Sequence, residues 1–133
     1  MTAKRTMRLT AAVRRSQCPV AGTLDVLGDR WSLLVVRDLL RGKRRYAEFL
    51  ESSEGIPTNI LADRLKRLAA HGIISQRRYS VHPPRMEYEL TTKGEDLRPV
   101  LRAMLDWGLE HVPGTRRPEP QSQNPQIPKS SNP

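Results

Sequence analysis

Apolar residues recur along this chain at helical spacing through its first half and then switch to alternation. Val20, Leu24 and Leu27 share one face of a short helix that Gly28-Asp29 ends. Trp31 to Leu40 is apolar almost all round, which predicts a buried helix at the centre of a domain. Gly42 closes it, and Lys43-Arg44-Arg45 forms a basic turn. Tyr46, Phe49 and Leu50 mark the inward face of a third helix, from Tyr46 to about Glu51. After the turn Ser52-Ser53-Glu54-Gly55-Ile56, Pro57 is expected at a first helical position, where a missing N–H costs nothing because that donor has no partner in the helix. The helix from Pro57 to Ala70 sets Leu61, Leu65 and Leu68 on one side. Asn59, Asp63 and Lys66 lie on the other, with Arg67 close by, and Gly72 stops it.

Two strand-like runs follow, Ile73 to Tyr79 and Arg85 to Leu90, joined by Ser80-Val81-His82-Pro83-Pro84. Alternation predicts Met86, Tyr88 and Leu90 toward the core and Arg85, Glu87 and Glu89 toward water. Neither proline can donate a ladder hydrogen bond, so both are expected in the tip. Thr92 and Glu95 have the spacing of a capping box, which predicts that they open the last helix. Leu97, Val100, Leu101, Met104, Leu105 and Gly108 continue it, and Pro99 should bend it or shift its start. The order helix, turn, helix, strand, strand predicts a winged helix-turn-helix over residues 18–112: mainly α with a small β-hairpin, plus extra helices at both ends. Residues 1–17 read as a basic arm. Residues 113–133, dominated by Pro, Ser, Gln and Asn, read as a disordered tail, because so few apolar groups cannot offset the entropy of ordering.

At 133 residues the chain suits one domain, and its net charge of +9 points to a polyanionic partner. Charge alone fits an ordinary basic protein equally well. What favours duplex DNA is a helix with one apolar and one hydrogen-bonding face beside a basic hairpin, as groove recognition needs. A single cysteine, Cys18, excludes an intramolecular disulfide framework and suits a reducing compartment. The longest apolar run, Leu33 to Val36, is cut by Arg37 and Asp38, so no membrane association is expected. The expected location is the cytoplasm, on the nucleoid. Lys4, Arg5, Arg8, Arg14 and Arg15, with no acid among them, resemble an organellar transit peptide, but the apolar positions are too few for a strong amphipathic face and a DNA-flanking arm fits better. His71, His82 and His111 are isolated, no glycine-rich phosphate loop is present, and no Ser or Cys has a base near it in sequence. Neither an enzyme nor a bound metal or cofactor is expected.

A set of short motifs sharpens this reading. They are Cys18-Pro19-Val20, Thr23-Leu24, Gly28-Asp29-Arg30-Trp31, Arg37-Asp38-Leu39-Leu40-Arg41-Gly42 and Arg44-Arg45-Tyr46, then Ile56-Pro57, Leu61, Arg64-Leu65, Leu68 and Gly72-Ile73-Ile74, and finally Pro83-Pro84, Glu87-Tyr88, Leu90-Thr91, Gly94 and Trp107. In this order and spacing they resemble the HxlR-type transcriptional regulators, dimeric winged-helix proteins of bacteria related to the MarR group, from about Cys18 to Val112. Two positions depart: the family often has a second glycine where Asp29 stands, and Tyr46 replaces a commoner phenylalanine. Both read as conservative for packing.

The resemblance implies that the helix from Pro57 lies in the major groove, with Thr58, Asn59, Ala62, Asp63 and Lys66 at base edges. Asn can bind adenine through two hydrogen bonds, and Thr or Ala can touch a thymine methyl. Asp63 would accept from cytosine, or orient Lys66 or Arg67. Arg64, Arg67, Arg44 and Arg45 are the expected phosphate contacts, with His82 and Arg85 at the wing tip. Arg77 and Arg78 are equally well read as strand-surface charges, and a solvated face is the alternative for each of these residues.

One recognition helix reads few bases, whereas two about 34 Å apart read half-sites one turn apart. A homodimer is therefore expected, with Leu24, Leu101, Leu105, Trp107 and Leu109 at its interface; the alternative is that they pack on their own subunit. Some family members respond to electrophiles or oxidants through a cysteine matching Cys18, and Arg14 and Arg15 nearby would favour its reactive thiolate. Without a second cysteine the open routes are alkylation, a mixed disulfide or a disulfide between subunits, and the plainer reading is a small buried residue. The expected protein is thus a homodimeric repressor on an inverted repeat in double-stranded DNA, responsive to a small electrophile or another small-molecule inducer. The competing reading is a basic RNA-binding or nucleoid-associated winged helix without an operator. Against it, Trp31, Phe49 and Tyr88 are expected in the core and so not free to stack on bases.

Overall fold

The computed structural model describes residues 16–117, and its first helix follows Cys18. The basic arm expected over 1–17, apart from its last two residues, and the tail beyond Arg117 lie outside the described residues. Helix α1 (Pro19–Leu27) begins with Cys18 in extended backbone at the cap and proline in the first turn, where no N–H is missed. Helix α2 (Ser32–Leu40) buries Val35, Val36 and Leu39, the central position expected from its apolar run. Helix α3 (Tyr46–Leu50) contributes Phe49, and α4 (Thr58–Ala70) contributes Leu61, Leu65 and Leu68. These, with Leu27, Ile56, Ile73 and Ile74, form one core. Each fully buried Leu, Ile or Phe side chain stabilises the fold by roughly 1.5–3 kcal/mol through area removed from water.

Helix α4 starts one residue later than expected. Pro57 has the extended ψ of 147° of a cap, and its carbonyl accepts the N–H groups of Ile60 and Leu61. Proline is tolerated there for the same reason as at the first turn, since the N–H it lacks would have had no acceptor in the helix.

Strands β1 (Ile74–Val81) and β2 (Pro84–Leu90) form an antiparallel hairpin in the register Ile74 to Leu90 through Val81 to Pro84. Tyr79 is an extra residue between the Arg78–Met86 and Ser80–Arg85 pairs, a bulge that twists the outer half of the hairpin. Only Pro83 stays in the tip; Pro84 opens β2, a place where a strand tolerates proline. Met86, Tyr88 and Leu90 are half-buried as alternation predicts, but so is Glu87, expected in water. Its carboxylate is enclosed by arginine side chains described below. The basic turn also does more than connect helices: Arg45 bridges to Glu87, and Tyr88 N–H donates to the Arg44 carbonyl at 2.8 Å. A minimal third strand thus ties the hairpin to the start of α3.

The expected capping box is displaced. Thr91, not Thr92, is the cap: its Oγ1 accepts from the Gly94 N–H at 3.2 Å and donates to the Gly72 carbonyl at 2.6 Å. The helix it opens, α5 (Thr92–Glu95), is a single turn separate from the last helix, α6 (Arg98–His111). Pro99 sits in the first turn of α6, so it sets the start rather than bending the helix. Helix α6 buries no residue fully and touches α2 along one side, and Val100, Met104 and Trp107 are exposed on it. Among the described residues no helix is long and apolar enough to cross a membrane.

Gly94 is buried where α5 crosses the end of the hairpin. A Cβ there would lie 2.2 Å from the Ile73 carbonyl oxygen and 2.8 Å from Leu90 Cδ2. Backbone cannot yield as a flexible side chain can, so Gly94→Ala should destabilise by about 1–3 kcal/mol. Urea denaturation checks this, and a midpoint equal to that of the parent would show that α5 can move aside.

Candidate nucleic-acid interface

The position of α4 is set by a carboxylate 35 residues upstream of the arginine it binds. Asp29 Oδ2 accepts the backbone N–H groups of Trp31 at 2.9 Å and Ser32 at 3.0 Å, which caps the start of α2. The same oxygen accepts Arg64 Nε at 2.8 Å, while Oδ1 accepts the Ser32 hydroxyl. Partial burial works against the charged form of Asp29, but the hydrogen bonds from Ser32, Arg64 and the two backbone N–H groups outweigh it and hold the carboxyl well below the usual range. The Arg64 guanidinium is bonded to Asp29 and also pairs with its neighbour Asp63. A DNA phosphate, the partner expected for Arg64, would have to compete with both. Asp29 is therefore more than a conservative replacement for glycine. It joins the first turn of α2 to the middle of α4.

Two further contacts fix the turn before α4. The Tyr46 hydroxyl donates to the Thr58 carbonyl at 2.7 Å, tying α3 to the first residue of α4. A phenylalanine would lack this bond, so this departure too has a structural effect. Buried Asp38 accepts Arg37 at 2.9 Å and the Ser52 hydroxyl, and Arg37 forks onto Glu54 at 3.0 and 2.7 Å. The Arg37 guanidinium, bonded to Glu54, pulls that carboxyl down to about 2 against a smaller opposing effect of burial. The Ser52–Glu54 turn is thereby anchored to α2.

With α4 so held, Leu61, Leu65 and Leu68 face the core and Thr58, Asn59, Ala62, Asp63 and Lys66 are all exposed on its outer side. Arg67 is half-buried at the flank. Arg44 and Arg45 lie exposed along the sheet edge. The Arg45 guanidinium rests 3.8 Å over the Tyr79 ring and 3.3 Å from Glu87 Oε2, and Glu87 Oε1 accepts Arg77 at 2.5 Å. Hydrogen bonding to Arg77 first, and to Arg45, lowers the Glu87 carboxyl below its ordinary value. Arg77 is thus paired rather than simply solvated. His82 and Arg85 are exposed at the far end of the hairpin.

The contacts absent from the sequence reading are those of Asp29, Tyr46 and Glu87. Each joins residues far apart in sequence; Asp29 and Tyr46 were marked only as departures from a smaller or less polar residue, and Glu87, at an outward strand position, carried no local sign. Cys18 is exposed at the start of α1, which removes its reading as a buried packing residue. Leu24 and Trp107 are also exposed, whereas Leu101, Leu105 and Leu109 are half-buried.

The family described as HxlR-like helix-turn-helix matches residues 26–116, from the end of α1 to beyond α6. An uncharacterised HTH-type transcriptional regulator of Synechocystis sp. is 44% identical over 93 residues, covering 70% of this chain and 69% of that protein. Among solved structures, a MarR-family transcriptional regulator from Porphyromonas gingivalis superimposes with a TM-score of 0.65 at 32% identity, covering 73% of this chain and 95% of the other. The redox regulator HypR in its oxidised form does so with a TM-score of 0.64 at 35% identity, covering 76% and 100%.

Asp29 and Glu54 are both more acidic in the folded chain than their ordinary values of 3.8 and 4.5. Their contribution is therefore complete above those values and is lost as pH falls through the folded ones. Stability measured in urea should drop between about pH 5 and about pH 2. Asp29→Asn should cost about 1–3 kcal/mol at neutral pH and flatten that acid limb. An unchanged acid limb in this variant would mean that Asp29 does not link α2 to α4 energetically.

Proposed function

The chain belongs to the HxlR-like helix-turn-helix family, and we propose that this transcriptional regulator binds an inverted repeat in double-stranded DNA as a homodimer and represses by occluding the promoter. The observation that carries the proposal is the division of α4 into a fully buried leucine face and an exposed polar face beside a basic sheet edge. On this reading α4 enters the major groove. Asn59 pairs with adenine, Thr58 and Ala62 meet a thymine methyl, and Lys66 reaches guanine or a phosphate. Asp63 contributes through Arg64 and cytosine, and Arg64 serves mainly to anchor the helix. Arg44, Arg45 and Arg67 contact phosphate, and His82 and Arg85 approach the minor groove. A duplex DNA target implies a location on the nucleoid in the cytoplasm.

Support for the homodimer comes from the two terminal helices. Val20 and Leu24 on α1, and Val100, Met104 and Trp107 on α6, leave large apolar side chains in water, more than scattered surface residues account for. Leu105 and Leu109, half-buried on the same helix, complete this face, and Leu101 backs it against the chain's own core. Regulation by a small electrophile or oxidant through Cys18 is supported by its exposure and by the likeness to HypR, a redox regulator. The chemistry would be alkylation, a mixed disulfide or a disulfide between subunits.

Selection of bound duplexes from a random library, at two salt concentrations, tests the central claim. An inverted repeat with half-sites one helical turn apart is the expected result. Salt-steep binding without a motif would instead favour the nucleoid-associated or RNA-binding reading. On the selected site, Asn59→Ala should relax preference at one base pair, at a cost of about 1–3 kcal/mol. Arg44→Ala, at an exposed side chain outside the ion pairs described, should weaken all sequences alike and reduce the salt slope by about one. For Cys18→Ser, diamide or a quinone should no longer release the DNA; release equal to that of the parent would remove Cys18 as the sensor.

A further inference from the structure

The turn between α1 and α2 carries a cation that the fold holds in place but leaves without an acceptor. Arg30 is exposed, and its guanidinium carbon lies 5.1 Å from the centre of the Trp31 ring. Trp31 is itself half-buried and shares a small cleft with Glu54 and Ile56, just before α4. A ring face attracts the charge of the cation but offers it no oxygen, so the N–H fork of Arg30 stays free to donate. Three carboxylates near the turn are engaged with other groups. Asp29 accepts Arg64, the Ser32 hydroxyl and two backbone N–H groups, Asp63 pairs with Arg64, and Glu54 pairs with Arg37. Among the described residues, Arg30 forms no ion pair.

The neighbour of Arg30 fixes where this cation stands. Through the bond from Arg64 Nε to Asp29 Oδ2, the turn lies against the middle of α4. Arg64 is about 9 Å along the helix axis from Thr58. At Thr58 the Tyr46 hydroxyl joins α4 to α3, which the Arg44–Arg45 edge immediately precedes. Basic groups therefore stand beside α4 at two separate places, Arg44 near its start and Arg30 near its middle. We propose that Arg30 contacts a phosphate of the bound duplex, gripping the backbone at a point that the Arg44–Arg45 edge does not reach. A phosphate supplies the oxygens that the fork lacks, and arginine commonly binds it through two N–H groups at once. The Trp31 ring orients the guanidinium beforehand, which reduces the entropy lost on binding. Such a contact carries no base information, so Arg30 adds grip and register but no base preference. This role rests on the reading that α4 enters a DNA groove.

Fluorescence-anisotropy titrations of the full-length protein over a series of salt concentrations test this, on the selected duplex and on an unrelated one. Arg30→Ala should weaken both about tenfold and lower the salt slope by about one. Arg30→Lys should recover the slope but only part of the affinity, because an ammonium lacks the planar fork. A slope unchanged in Arg30→Ala would overturn the proposal. Duplexes with a single uncharged methylphosphonate in place of one backbone phosphate, moved along each strand in turn, then locate the contact. The parent should lose affinity at one phosphate in each half-site where Arg30→Ala loses none, and Arg44→Ala should stay sensitive there. Equal sensitivity of the parent and Arg30→Ala at every phosphate would mean that Arg30 acts only through the fold, and would also overturn the proposal. If the parent binds no duplex, the regulator reading fails and this role with it. If the parent binds and the slope of Arg30→Ala is unchanged, only the role of Arg30 is lost.

Discussion

The carboxylate of Asp29 is the joint on which the arrangement of helices depends. The start of α2 leaves backbone N–H groups without helical partners, and the middle of α4 presents a guanidinium that must lie close to protein. One carboxylate satisfies both. Removing it would leave unpaired donors and a partly enclosed arginine, which costs more than the mean value of a hydrogen bond suggests. Apolar burial gives the domain its stability but is tolerant of small rotations of a helix. Directional bonds from Asp29 to Arg64 and from Tyr46 to Thr58 remove that tolerance for α4. If the outer surface of α4 matches base edges, as proposed, its supporting residues need to be locked in this way.

Local periodicity made the architecture legible. Leu61, Leu65 and Leu68 at helical spacing, glycine stops and an alternating hairpin were enough for the winged helix-turn-helix. Boundaries slipped where neighbouring residues offered equivalent chemistry: Thr91 and Thr92 can each cap a helix, and only the crossing of Gly94 over Ile73 selects Thr91. What periodicity could not show was pairing between distant polar groups. Arg64 looks like any basic flank residue of a DNA-reading helix until Asp29 is found beside it. Glu87 looks like an outward strand position until the Arg44–Arg45 edge folds over it. The exposed face of α4 was legible because it is defined by what the leucines leave over.

Charge is distributed unevenly over this fold. Near the joints each arginine has a carboxylate: Arg64 has Asp29, Arg37 has Asp38 and Glu54, Arg45 and Arg77 share Glu87. Among the described residues, unpaired positive charge is carried by side chains without such partners, among them Lys66 on α4, Arg41 after α2 and Arg102 on α6. A net charge read from composition thus says less than the question of which cations are already neutralised. The paired ones shape the scaffold, and the remainder are available to an outside anion.

The short pairing of Arg44 and Arg45 with β2 has a mechanical consequence. It clamps the hairpin to the same body that carries α4, through backbone hydrogen bonding, the Arg45–Glu87–Arg77 chain and the Tyr79 ring. The body of the hairpin and α4 then stand as the two jaws of one caliper rather than as independent fingers. If α4 enters the major groove as proposed, such a caliper would favour those sequences whose adjacent grooves hold, or cheaply reach, the matching separation. Groove width would then be selected at base pairs that no side chain touches.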